Sequence, residues 1–72
     1  MKHSDIKTIY YVLCDTKSRL DYVNKHEVEL ELMAAAAGTI EHEHAMHRRQ
    51  RLESRIAELD GIITRLVKQY RI

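Results

Sequence analysis

The sequence predicts an all-α protein, an antiparallel two-helix hairpin of coiled-coil type. Three observations carry that expectation. Apolar residues recur at heptad spacing over most of the 72 residues, the chain contains no Pro, and one of its two Gly falls near the middle, at Gly38. So few turn residues exclude a hairpin-rich β fold. A hydrophobic content of 44% excludes a chain too polar to fold.

In the first helix, expected over about residues 4–37, the a positions are 6, 13, 20, 27 and 34, and the d positions are 9, 16, 23, 30 and 37. Eight of these ten are apolar; Thr16 and Glu27 are the breaks. Ser4 is placed to cap the start, with Asp5 well set against the helix dipole. Gly38 is the natural left-handed residue at the end, and the turn is expected at residues 38–39.

Thr39 is expected to cap a second helix over about residues 40–71, whose stripe is Leu52, Ile56, Leu59, Ile63, Leu66 and Tyr70. Traced backwards the stripe meets Arg49, Ala45 and His42. Gly61 lies opposite it and costs about 1 kcal/mol relative to Ala. Pivoting about Gly38 pairs Ile6 with Tyr70, Leu13 with Ile63, Leu20 with Ile56 and Leu30 with Ala45. The same register sets Glu27 against Arg49, so the polar breaks of the two arms coincide. The pair Glu27 and Arg49 is therefore expected to specify register. Residues 1–72 form a single domain in this reading.

Charge and composition narrow the function. Twelve Lys and Arg against eleven Asp and Glu leave a net charge of +1, which argues against a dedicated nucleic-acid binder. The basic run His47–Arg51 before Leu52 resembles a zipper's basic region only superficially, since its arginines alternate with Glu53 and Glu58. One Cys forms no internal disulfide and points to a reducing, cytoplasmic setting. The apolar run Ile9–Cys14 is too short for a secretory signal or a membrane span, so a soluble chain is expected. Glu41, His42, Glu43, His44 and His47 have spacings that can ligate a metal, but a solvated first helical turn, with Glu set against the helix dipole and His paired with Glu neighbours, is the favoured reading. No metal and no cofactor are expected. Cys14 reads as a small buried thiol rather than a nucleophile, and a two-helix fold is expected to offer no concave pocket of its own, so no enzyme activity is expected.

A two-helix seam encloses little, so further apolar surface must be covered by something else. Residues 6–14 and 62–72 meet at the open end and are apolar on more than one face. The expected partner-binding residues are Ile9, Tyr10, Tyr11, Val12, Cys14, Tyr22, Ile62, Leu66, Val67 and Tyr70. Val28, Leu32 and Met33 also fall outside the a/d stripe. Assembly into a homo-oligomer, or onto a helical protein partner, is expected.

The stretch Leu52-Glu53-Ser54-Arg55-Ile56-Ala57-Glu58-Leu59-Asp60-Gly61-Ile62-Ile63, continuing to Leu66 and Tyr70, resembles the second helix of the small hairpin co-chaperones of type III secretion, the YscE/PscE/SsaE group. The resemblance covers about 20 residues closely and the rest as a pattern of length, two helices and a central turn. It implies a bacterial cytoplasmic protein that stabilises a TPR-like chaperone and, through it, the needle subunit. A self-assembling structural or regulatory hairpin, including a phage-encoded inhibitor, shares the same pattern.

Overall fold

A computed structural model describes residues 2–72, and among them every regular element is helical. The first arm begins with α1, His3–Tyr22. It widens into a π-helical turn over Val23–Val28 and ends in α2, Glu29–Ala34. The second arm is one continuous helix, α3, Ile40–Tyr70, which passes through Gly61 without a break. The molecule measures 50 × 15 × 14 Å, with α1 lying against α3.

Several boundaries differ from the expectation. Lys2 occupies the N-cap of α1 without a side-chain bond, and Ser4 lies inside the first turn, where its carbonyl accepts from Thr8 Oγ1 at 2.9 Å. The first arm stops at Ala34 rather than at residue 37. Ala35 is extended, at φ −94° and ψ 131°, although Ala is the best helix former. The turn that joins the arms outweighs a propensity worth tenths of a kcal/mol per residue. Thr39 N–H donates to Ala36 O at 3.2 Å, and Gly38 takes φ +85° at the third position of this tight turn. Thr39 Oγ1 also donates to Ala36 O at 2.7 Å and accepts His42 N–H at 3.2 Å. Thr39 thus closes the turn and caps α3 as expected, a cap worth about 1 kcal/mol. At the far end Arg71, at φ 54°, donates its N–H to Val67 O at 2.9 Å and terminates α3.

Only Ile6, Val28, Ala45 and Leu59 are buried among the described residues. On α3 the seam follows the expected stripe. On the first arm it does not. Ile9 and Leu30, both assigned to d positions, are 39% and 63% exposed, whereas Tyr10, Lys17 and Asn24 are partly covered. Inside the π turn, Glu29 N–H reaches back five residues to Asn24 O. That extra residue brings Val28, fully buried, into the place the heptad reserves for Glu27.

The two glycines should respond oppositely to alanine, since an added Cβ meets nothing within 4 Å at either site. Gly38→Ala forces a left-handed backbone and should cost about 1 kcal/mol. Gly61→Ala should gain about 1 kcal/mol of helix propensity. Thermal unfolding followed by circular dichroism should show midpoint shifts of about 4–8 °C in opposite directions.

Candidate protein-binding surface

The exposed apolar side chains group at both ends of the molecule. At the open end, Tyr11 is 64% exposed, Val12 59%, Ile9 39% and Ile62 36%. Tyr10, Cys14, Leu66, Val67 and Tyr70 sit beside them, half-buried along the seam. Tyr10 and Tyr11 pack edge to face with ring centroids 5.5 Å apart. A hydrogen bond with the Cys14 thiol, one helical turn on, raises the Tyr10 pKa above its ordinary value. Tyr22 stands apart from this group, exposed at the start of the π turn, with its ring 4.4 Å from that of His26. The residues named from the sequence therefore divide into outward anchors and seam supports.

A second apolar surface lies at the turn, of which the sequence pattern marked only Met33. Leu30, Met33, Ile40 and Met46 are exposed there. The heptad frame hides Leu30 by assigning it to the seam, and only the widened turn rotates it outwards. Next to it lies an open groove of about 900 Å³, floored by Ala34, Ala35, Ala36 and Ala45 and edged by His44, Arg48 and Arg51. A two-helix fold thus does carry a concavity, contrary to expectation. Its Thr39 hydroxyl is spent on the turn, and Arg48 is engaged by carboxylates of the first arm. Cys14 lies on α1, outside this lining. Among the described residues, no three His, Cys, Asp or Glu side chains gather closely enough to hold a metal. None of the described helices is long and apolar enough to cross a membrane.

The ion pairs that join the arms correct the expected register pair. Arg48, not Arg49, reaches across, to Glu31 at 2.6 Å and to Glu27 at 3.4 Å. Arg49 instead bonds Glu53 on its own helix at 3.0 Å. The cause is the π turn. With Val28 in the seam, Glu27 is swung to the flank where Arg48 emerges, whereas Arg49 emerges on the other flank. Lys17 bridges the arms nearer the open end, with Nζ 2.7 Å from Asp60 Oδ1. The Asp60 carboxylate raises the Lys17 pKa through this hydrogen bond. Asn24 Oδ1, within the π turn, is buried without a hydrogen-bond partner.

No family model matches the chain, and no curated protein or solved structure matches it either.

Two measurements check this electrostatic arrangement. A double-mutant cycle should give a coupling of under about 1 kcal/mol between Glu31 and Arg48, as befits half-exposed partners, and none between Glu27 and Arg49. Because folding raises the Lys17 pKa, its contribution is complete below the unfolded value near ~10.4 and is lost as pH climbs through the folded value. Asp60→Asn should therefore lower the unfolding midpoint at neutral pH, and the gap from the wild type should close in alkali.

Proposed function

We propose that the chain is an antiparallel helical hairpin that works as a non-enzymatic protein-binding module. The observation that carries this reading is the imbalance of its apolar surface. Among the described residues four side chains are buried, while Ile9, Tyr11 and Val12 are left in solvent at the open end and Tyr22 at the start of the π turn. Tyr and branched aliphatic side chains are costly to leave wet and typical of anchors that fill a partner's pockets. The cross-arm pairs Lys17–Asp60 and Glu31–Arg48 support the antiparallel arrangement, since rising numbers on one arm meet falling numbers on the other.

Within that class, the resemblance of Leu52–Ile63 favours a co-chaperone of type III secretion. In this role the chain acts in the bacterial cytoplasm. It covers apolar surface on a TPR-like chaperone, which in turn holds the needle subunit. The open-end anchors supply the contact, and the turn end points away from it. A second reading, a self-assembling structural or regulatory adaptor, is favoured by the exposure of Leu30, Met33, Ile40 and Met46, because a chain apolar at both ends can pack against copies of itself.

The co-chaperone reading is tested by co-expression with a TPR-like chaperone of a type III secretion system. A complex of defined stoichiometry by light scattering is expected, with Tyr11→Asp weakening it at least about tenfold. Absence of any complex, or one indifferent to Tyr11→Asp, removes this role.

A further inference from the structure

The four buried side chains fix which side of each arm faces the seam. Three residues further along an α-helix, the side chain direction is rotated by about 60°. Ile9, Glu31, Arg48 and Ile62 each follow a buried residue by three positions, so each stands on the same flank of its arm. Glu31 and Arg48 meet on that flank at 2.6 Å, so the two flanks join into one face. At the open end this face carries Ile9, Val12, Ile62 and the edge of Leu66. Towards the turn it carries Glu27, Glu31 and Arg48, and then Arg51, which makes no ion pair among the described residues.

We propose that a second copy of this chain covers this face, related by a two-fold axis along the length of the molecule. The arrangement rests on the hairpin reading above and names one occupant of its apolar surface. Such an axis lays α1 and α2 of each copy on α3 of the other at the same level. Ile9 and Val12 then meet Ile62 and Leu66 of the second copy. The acidic flank of Glu27 and Glu31 meets Arg51, so the unpaired guanidinium gains a carboxylate partner. Glu27 is free to accept it, being half-exposed and bound to Arg48 only at 3.4 Å. A two-fold across the long axis would instead set α3 on α3 end for end, so that at full overlap Arg48 and Arg51 lie against the apolar stretch around Leu59 and Ile62 and meet no carboxylate of the first arm. Charge therefore selects the lengthwise axis. The size fits as well. A face 50 Å long and 15 Å wide approaches the roughly 800 Å² per partner that a standard interface buries. The product is a four-helix bundle in which each helix neighbours antiparallel ones.

Sedimentation equilibrium of the full chain at about 100 µM, with helix content followed by circular dichroism, tests the arrangement. A dimer is expected, weakened by salt. Arg51→Glu should raise its dissociation constant at least about tenfold, and adding Glu27→Arg should restore it to within about threefold. Lys7→Glu, one residue after buried Ile6 and so on the opposite flank of α1, should leave the dimer unchanged. A folded monomer at this concentration overturns the proposal, as does a charge swap that fails to restore association or a dimer lost with Lys7→Glu. These outcomes are separate from the co-chaperone test, because a monomer can still bind the TPR-like protein and a dimer can fail to.

Discussion

Everything in this molecule follows from the narrowness of its seam. Two helices in contact share a single line of side chains, and here that line buries completely only Ile6, Val28, Ala45 and Leu59 among the described residues. The rest of the seam, including Leu13, Leu20, Leu52, Ile56 and Ile63, is only half-buried, and Tyr11, Val12 and Met33 stay 64%, 59% and 81% exposed. In the proposed protein-binding role these exposed side chains are the surface that a partner covers, and they matter more there than any polar cluster does.

The π turn is best understood as the answer to a local conflict. Extended regularly, the first arm would rotate Glu27 into the seam opposite α3. Burying a carboxylate there costs several kcal/mol unless a partner fully compensates it. One additional residue in the turn replaces that charge with Val28 and releases Glu27 to the half-exposed flank, where Arg48 meets it in solvent. The exchange has its own cost, visible in Asn24 Oδ1, buried and without a partner. Packing gain at Val28 and relief at Glu27 together exceed the loss of one neutral hydrogen bond.

What could be read from the sequence divides along the same line. The helical class, the Thr39 cap, the left-handed Gly38 and the seam of α3 were legible because each depends on local chemistry or on a stripe that keeps its period. The first arm misled because its heptad is nearly perfect on paper. Ile9 and Leu30 fit d positions, yet both are exposed, since the partner positions actually used are Tyr10, Lys17 and Asn24. Nothing in a residue count distinguishes a break that is tolerated from one that is avoided by widening a turn. The only signal was Glu27 itself, a charge in a buried slot beside an apolar neighbour one residue on. The Ala run misled for a related reason. Propensity favours helix through residue 37, but the turn begins at Ala35, which is extended, and Ala36 supplies a carbonyl for Thr39.

The redistribution caused by one extra residue also bears on what the molecule presents to others. Had the first arm stayed in regular register, Glu27 would sit inside and the flank above α3 would lack its acidic cluster. With the π turn in place, the first arm shows Ile9 and Val12 followed by Glu27 and Glu31, while α3 shows Arg48 and Arg51 followed by Ile62 and Leu66. Each arm thus offers one apolar and one charged stretch, with the two signs on different arms. A surface of that kind discriminates by charge sign as well as by shape, so a helix pair of the wrong polarity is rejected by like charges rather than merely bound less well. The device that rescues the seam is therefore the same one that gives the outer face its pattern, and the proposed recognition rests on the same local choice at Val23–Val28.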